Sequence, residues 1–179
     1  MIKKIVIVLV AALGIFAAVV ATRPSAYSVS RAAIMTARPA KIFAQVNYFH
    51  AWQAWSPWAQ MDPAAKNSFE GSSSGTGAVF KWSGNRKVGE GAMTILESRT
   101  NELIRIRLEF IKPFASLCGT EFTFKPEGNQ TQVTWTMTGE NNFIAKAACL
   151  FMNMDKMVGG DFERGLAQMK SVAEAAAKK

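Results

Sequence analysis

Residues 103–138 read LIRIRLEFIKPFASLCGTEFTFKPEGNQTQVTWTMT and contain three segments in which apolar and polar residues alternate. Successive side chains of a β-strand point to opposite faces, so parity assigns each residue to a face. The intervening positions are mostly charged residues and threonines. This pattern predicts adjacent antiparallel strands with one buried and one solvated face. The apolar positions are Ile104, Ile106, Leu108, Phe110, Phe122, Phe124, Val133, Trp135 and Met137.

The sheet extends upstream of this stretch. Residues 78–82 and 87–98 are predicted strands, with Phe80, Trp82, Met93 and Ile95 on the apolar face. Turn signals at residues 83–85, 100–102 and 126–129 separate the strands. A further strand is predicted at residues 27–36. The sequence therefore indicates an antiparallel meander of five or six strands, with one more strand before it.

Helices are predicted on both sides of the meander. Pro39 suits the first position of a helix, and two short helices follow it. Residues 142–177 have a helical pattern throughout, with an expected interruption near Gly159 and Gly160. An apolar stripe at helical spacing predicts that this long helix lies across the sheet, which gives an α+β arrangement. The stripe is Val158, Phe162, Leu166, Met169 and Ala173.

The N-terminal residues 5–21, IVIVLVAALGIFAAVVA, carry no charge. They are nearly long enough to cross a bilayer, and they also fit a slightly long signal peptide with a weak cleavage site. A buried helix of the globular domain is a third interpretation, disfavoured because every face is apolar. We expect a membrane anchor in residues 1–23 and one domain in residues 24–179. Basic residues flank both ends, so charge leaves the orientation open. The signal-like order favours a single-pass protein with its domain outside the cytoplasm.

Composition excludes several classes of protein. The 179 residues are 49% apolar and 19% charged, which is not the composition of a disordered chain. Two cysteines, Cys118 and Cys149, cannot build a disulfide scaffold or a four-cysteine metal site. His50 is the single histidine, which excludes two-histidine metal motifs and leaves one candidate base for a nucleophile. We therefore expect no metal site and no cofactor.

The formal net charge is +8. Five of the 21 basic residues flank the apolar segment or end the chain, so the rest is close to neutral. A nucleic-acid surface needs clustered basic residues, and no such cluster is present, so nucleic acid is not an expected partner.

Several short motifs, in this order and spacing, resemble one family. They are the residues 39–43 (PAKIF), 55–58 (WSPW) with 61–63 (MDP), 75–77 (GTG), 81–84 (KWSG), 88–91 (VGEG), 110–114 (FIKPF), 133–135 (VTW) and 151–156 (FMNMDK). The chain, over nearly all of residues 26–175, is similar to the START-like, Bet v 1-like helix-grip superfamily (SRPBCC), and within it to the bacterial polyketide cyclase/dehydrase branch. The resemblance implies a hydrophobic cavity between the sheet and the long helix. An N-terminal membrane segment is similar to that of some bacterial members, which implies a place in the bacterial inner membrane. Members bind lipids, sterols or polyketides, and a minority are cyclases, aromatases or dehydratases. The family has no universal catalytic motif, so no catalytic residue is carried over.

Twelve residues are candidates to bind a hydrophobic ligand. Large apolar side chains are usually ordinary core, and that interpretation stays open beside the cavity. Methionines of the terminal helices, including Met152, Met157 and Met169, would suit an adaptable lining or fill gaps in the core. The twelve candidates are Trp52, Trp55, Phe80, Trp82, Met93, Ile95, Ile106, Phe110, Phe124, Trp135, Met154 and Val158.

The remaining candidates are weaker. An enzyme would need an inward polar group, for which Glu97, Thr120 and Arg99 are available, although Glu97 is expected to be exposed at a strand end. The glycine-rich residues 71–77 lack the ending of a phosphate loop and are expected to form a hairpin. Gly159, Gly160 and Gly165 would leave room for a ligand or permit close packing.

The sequence thus favours membrane-tethered binding of a hydrophobic small molecule or lipid without its conversion. The alternatives are a cyclase- or dehydratase-like enzyme and an interaction domain with a solid core.

Overall fold

The computed structural model describes residues 1–177, with side chains described through Ala175. Seven strands form one antiparallel sheet in the order β1-β7-β6-β5-β4-β3-β2. The strands are β1 (Ala26–Met35), β2 (Lys66–Gly71), β3 (Ala78–Ser83), β4 (Glu90–Arg99), β5 (Leu103–Lys112), β6 (Ser116–Glu127) and β7 (Gln130–Glu140). The helices are α1 (Ile2–Thr22), α2 (Pro39–Asn47), a 3-10 helix (Phe49–Ala54), α3 (Pro57–Met61), α4 (Phe143–Ala148) and α5 (Met154–Ala177).

The predicted helix-grip fold is confirmed. Strands β2 to β7 form a continuous meander, and β1 pairs with β7 at the other edge. The long helix α5 packs on the inner face, and its stripe residues Phe162, Leu166, Met169 and Ala173 are buried. Tight turns between strands use left-handed backbone at Asn101 and Gly128.

One predicted feature of the C-terminal helix is wrong. The helical stretch breaks at residues 149–153, and α5 runs through Gly159 and Gly160 without interruption. No glycine lies in the break, and each of the two helices begins at a side-chain cap. Asn142 Oδ1 accepts from Ala145 N at 2.8 Å, and Asn153 Oδ1 accepts from Lys156 N at 2.9 Å. Each side chain satisfies a backbone donor that lacks a partner in the first turn of a helix.

The N-terminal helix α1 stands apart from the core. It has 21 residues, and of these only Val20 is buried. At 1.5 Å per residue the helix is about 32 Å long, which matches a hydrocarbon core of about 30 Å. An N-terminal helix of this length and composition fits either a membrane span or a signal sequence. Its exposure removes the interpretation of α1 as a core helix.

The two ends of the sheet differ in their surroundings. At one end lie Ala26, Glu140, Ser116, Lys112 and Glu90, which are strand ends brought together by the observed register. We call this the proximal end, because only residues 23–25 separate α1 from β1 there. The opposite, distal end carries the β2–β3, β4–β5 and β6–β7 turns.

Candidate functional site

A cavity lies between the inner face of the sheet and the helices α3 and α5. Its volume is about 230 Å³, and it is partly open to solvent. The deep lining is aromatic and aliphatic, whereas the polar residues Gln53, Asn67 and Lys87 lie at the exposed mouth. The apolar lining consists of Trp52, Trp58, Phe80, Trp82, Val88, Met93, Leu108, Phe110, Trp135, Met137, Val158 and Phe162.

Seven of the twelve candidate ligand-binding residues line this cavity. They come from the 3-10 helix, four strands and α5, so only the fold brings them together. Their placement puts them within reach of a ligand, and their role in binding stays a prediction. These residues are Trp52, Phe80, Trp82, Met93, Phe110, Trp135 and Val158.

The other five candidates lie elsewhere. Trp55, Ile95 and Ile106 are almost fully buried in the solid part of the core. The ring of Phe124 contacts Phe43 of α2, with centroids 5.5 Å apart. Met154 is half-buried at the start of α5, outside the cavity. The distal half of the inner face is therefore filled by α2 and the 3-10 helix, and the cavity occupies the proximal half.

Several lining residues were missed by sequence reasoning. Leu108, Met137 and Phe162 were assigned to inward faces by periodicity, and that signal could have placed them beside Phe110 and Val158. Trp58 and Val88 lie in a five-residue helix and in the β3–β4 loop, where no periodic pattern exists. Their inward position depends on tertiary packing alone.

Trp135 is the central contact between the sheet and α5. Its ring stacks on Phe162 with centroids 4.0 Å apart and planes 9° apart. Its Nε1 donates to Thr120 Oγ1 at 3.0 Å, so the one polar atom of this buried indole is satisfied. Gly165 lies where α5 crosses this ring, and a Cβ there would lie 2.9 Å from Trp135 Cζ3. Gly165 therefore serves close packing and not ligand space.

The polar groups inside the cavity are few and comprise the buried hydroxyls of Ser56 and Thr120. Thr120 Oγ1 donates to the Thr136 carbonyl at 3.0 Å while it accepts from Trp135. At the mouth, Asp62 Oδ2 accepts from Asn85 N at 2.6 Å, and Asp161 pairs with Arg164. The lining thus offers an apolar environment with acidic and amide groups at its entrance.

The other two polar candidates lie outside the cavity. A bulge between Ile95 and Glu97 shifts the register of β4 against β5. Glu97 therefore points to the outer face, where it pairs with Arg105 at 2.8 Å and with Arg99 at 3.2 Å. Glu97 does not point into the cavity, its side chain is 38% exposed, and the bulge is the physical reason.

The remaining sequence features resolve into structural roles. Residues 72–77 connect β2 and β3 as a hairpin loop. Among residues 1–177, no three His, Cys, Asp or Glu side chains are grouped so as to hold a metal ion.

Cys118 and Cys149 are free thiols, and Cys118 Sγ is hydrogen-bonded to the Tyr27 hydroxyl at 3.0 Å. Burial raises the pKa of Tyr27 most, and the hydrogen bond with Cys118 raises it further.

The structure is similar to several solved structures. The di-domain aromatase/cyclase StfQ from the steffimycin biosynthetic pathway matches with a TM-score of 0.63 and 9% identity, covering 87% of this chain and 53% of that chain. Protein MLL2253 from Mesorhizobium loti matches with a TM-score of 0.59 and 14% identity, over 83% and 98% of the two chains. Ara h 8.0201 matches with a TM-score of 0.57 and 10% identity, over 84% and 99%. At these identities the likeness concerns the fold alone.

The sequence itself identifies the family. A comparison with curated proteins found no match. The family model described as "Polyketide cyclase / dehydrase and lipid transport" matches residues 26–174, which is the whole sheet and nearly all of α5. This chain therefore belongs to the polyketide cyclase/dehydrase and lipid transport family, on a Bet v 1-like fold.

Proposed function

We propose that this protein binds a hydrophobic small molecule, or the apolar part of a lipid, without converting it, while α1 tethers the domain to a membrane. The observation that carries the proposal is the aromatic-lined cavity beneath α5. Ligand sites are typically apolar clefts with a few polar groups, and this cavity has that composition. Membership of a family described by both cyclisation and lipid transport is consistent with such a ligand.

The cavity volume limits the size of the ligand. A cavity of about 150 Å³ takes up benzene, and sites for drug-sized ligands measure about 300–1,000 Å³. The volume of about 230 Å³ lies between these values. It suits one or two rings or a segment of one acyl chain, with the rest of the ligand extending through the open mouth. A complete two-chain lipid would not fit inside.

The polar lining favours binding over catalysis. General acid–base chemistry needs a titratable group within hydrogen-bond reach of the reacting atom. The buried polar side chains of the lining, Ser56 and Thr120, carry hydroxyls and no carboxylate or imidazole, and the carboxylates of Asp62 and Asp161 lie at the mouth. A cyclase or dehydratase remains the rival function. The cavity argues against the third alternative, a solid interaction module.

A cavity-filling substitution tests the proposal. Val158 lines the cavity from α5, so Val158→Trp should fill it and exclude the ligand. Ala167→Trp adds the same ring to an exposed position of the same helix and is the matched control. The full chain and both variants are purified from membranes, extracted with organic solvent and analysed by mass spectrometry. In parallel, each is titrated with an environment-sensitive naphthalene sulfonate dye.

We expect a stoichiometric apolar compound, or saturable dye binding, in the wild type and in Ala167→Trp, and at least a tenfold loss in Val158→Trp. Equal binding by all three proteins would place the ligand elsewhere. Absence of both compound and dye binding in the wild type would contradict the proposal. Recovery of a substrate and its dehydrated or cyclised product as a pair would favour the enzyme.

A further inference from the structure

Large apolar side chains are exposed together around the proximal end. Phe114 is 81% exposed, Ile144 is 76% exposed and Phe151 is 82% exposed. Single exposed apolar residues are normal, whereas several large ones at one end of a domain point to an interaction site. We call the group the proximal apolar surface, and it comprises Phe114, Leu117, Phe143, Ile144, Phe151 and Met152.

Three separate segments contribute to this surface. Phe114 lies in the turn between β5 and β6, and Leu117 lies at the start of β6. The helix α4, which follows β7, carries Phe143 and Ile144. Phe151 and Met152 lie in the connection between α4 and α5. Because each segment adjoins a strand end or helix end of the proximal end, the fold gathers residues that are far apart in sequence.

The proximal apolar surface adjoins α1. Lys146 of α4 donates from Nζ to the carbonyl oxygens of Ala21 and Arg23, at 3.2 and 3.1 Å. Asn141 N donates to Ser25 O at 2.8 Å, which fixes the short linker to the end of β7. The C-terminal end of α1 is therefore held against α4, and the domain cannot move far from the point where α1 leaves a bilayer.

We propose that the proximal apolar surface lies in the headgroup region of the bilayer that α1 spans, so that the domain rests on the membrane in a fixed orientation. This inference rests on the tether in the proposed function. A span of about 32 Å reaches from one side of the hydrocarbon core to the other, so residues in contact with its end lie at the interface. Aromatic and aliphatic side chains are stable at this depth. Arg23 and Arg86, which are exposed at the same end, are suited to anionic headgroups.

This orientation has a consequence for the cavity. Gly89 of the β3–β4 loop packs so closely on the Lys112 carbonyl and Pro113 that a Cβ there would collide with them. The loop that carries the lining residues Lys87 and Val88 therefore lies beside the turn that carries Phe114. The cavity mouth borders the bilayer surface, which is where an apolar ligand is concentrated.

Fluorescence quenching in vesicles tests the inference. The background variant is Cys149→Ser, and Cys118 is retained because it is buried. In this background a single cysteine replaces Phe114, Phe151, Leu96 or Leu9. Each new cysteine is labelled with a nitrobenzoxadiazole dye. Leu96 is 53% exposed on the outer face of β4 and is the control for an exposed apolar site away from α1. Leu9, in the middle of α1, reports insertion of the helix. The full chain is reconstituted in vesicles of phosphatidylcholine and phosphatidylglycerol that carry a doxyl quencher either near the headgroup or near the chain end.

We expect at least a twofold stronger quenching by the shallow than by the deep quencher at positions 114 and 151, the reverse at position 9, and none at position 96. If the label at position 9 is quenched while the labels at positions 114 and 151 are exposed to water, the inference is overturned and the proposed tether stands. Quenching at 114 and 151 without quenching at 9 would support the surface contact and refute the span. Water-exposed labels at all four positions would refute both.

Discussion

The contact between Trp135 and Gly165 sets how closely α5 approaches the sheet. A Cβ on Gly165 would lie 2.9 Å from Trp135 Cζ3 and 3.1 Å from Pro57 Cδ, and neither ring can move without shifting its neighbours. Overpacking of this kind costs about 1–3 kcal/mol. At Gly160, on the same helix, no atom lies within 4 Å of the position that a Cβ would take, so Gly160 provides a matched control.

We therefore predict opposite effects for the two substitutions. Replacing a helical glycine by alanine gains roughly 1 kcal/mol from backbone entropy, and Gly160→Ala should show this gain. In Gly165→Ala the clash with Trp135 and Pro57 should cancel or exceed this entropic gain. The two variants should therefore differ by about 1–3 kcal/mol in the free energy of unfolding. Denaturant titration of the full chain in detergent checks this, and equal stabilities would mean that α5 does not lie on Trp135 as described.

Arg31 joins β1 to the first half of α5. Its guanidinium donates to Asp155 Oδ1 and Oδ2, each at 2.9 Å, and to Glu163 Oε1 at 2.7 Å. The hydrogen bond from Arg31 lowers the pKa of Asp155. Gly159 lies directly beneath the guanidinium, and a Cβ there would collide with it. A side chain at Gly159 would therefore force the guanidinium to shift from this position.

A carboxylate with a lowered pKa in the folded state stabilises the protein above its ordinary pKa, and this contribution disappears as the pH falls through the lowered value. We predict that Asp155→Asn loses this part of the acid dependence, so wild type and variant converge in stability at low pH and differ near neutrality. The control is Glu140→Gln, an exposed carboxylate at the end of β7. Urea midpoints measured from neutral to acidic pH test it, and a constant difference between wild type and Asp155→Asn would contradict it.

Parity predicts the face of a residue well where a strand is regular and fails at a bulge. Glu97 shares the parity of Met93 and Ile95, which would point it inward, yet it lies on the outer face. The irregularity between Ile95 and Glu97 inserts Leu96 and reverses the alternation. A bulge adds one residue to one strand only, and nothing in the local composition marks it here. The cost of burying an unpaired carboxylate predicts that Glu97 points outward, which periodicity could not predict.

At the scale of secondary structure, the cap at Asn153 marks where the C-terminal helical stretch resumes after its break. Sequence reasoning placed the break at Gly159 and Gly160, because glycine has low helix propensity. A pair of glycines within a helix that is packed on one face is tolerated, whereas a capping side chain fixes where the helix begins. The sequence N-M-D-K at residues 153–156 carried this signal, with an asparagine followed by an acidic residue in the first turn.

We predict that Asn153→Ala destabilises the protein by about 0.5–2 kcal/mol, since the Lys156 amide loses its acceptor. Asn153→Asp should retain wild-type stability, because its carboxylate caps the same amide and interacts favourably with the positive end of the helix dipole. The two variants are compared by thermal unfolding, with α5 helicity followed by circular dichroism. Equal loss in both variants would show that Asn153 matters for a reason other than the cap.

The helices that cover the inner face of the sheet decide which part of it is hollow. Ile106 and Phe110 share one face of β5, and the sequence makes them equivalent. In the structure Ile106 is buried in the solid core, whereas Phe110 lines the cavity. The difference arises because α2 and the 3-10 helix cover the distal half of the sheet. Their position depends on long-range packing, so the sequence predicted the lining face but not the extent of the cavity.

At the scale of the whole molecule, the fate of α1 separates two architectures. A cleaved signal would release a soluble domain, whereas an uncleaved anchor keeps the proximal end at the membrane. The observed helix, Ile2–Thr22, is longer than the uncharged stretch of residues 5–21 and includes Lys3 and Lys4. Its length favours a span, and we predict that the mature chain retains α1 with its domain outside the cytoplasm.

Two cysteine variants in a Cys149→Ser background test this prediction in a bacterial host. Ile2→Cys reports the N-terminus, and Leu96→Cys reports the exposed outer face of the sheet. In spheroplasts, a membrane-impermeant maleimide should label position 96 at once and position 2 only after lysis. Intact mass of the membrane fraction should show the full 19.5 kDa chain. Labelling of position 2 in unlysed spheroplasts would reverse the topology, and a shortened chain in the soluble fraction would establish a cleaved signal. With α1 retained, position 96 labelled and the proximal apolar surface in the headgroup region, the cavity mouth would lie against the outer leaflet, and its ligand would have to be a compound that reaches that leaflet.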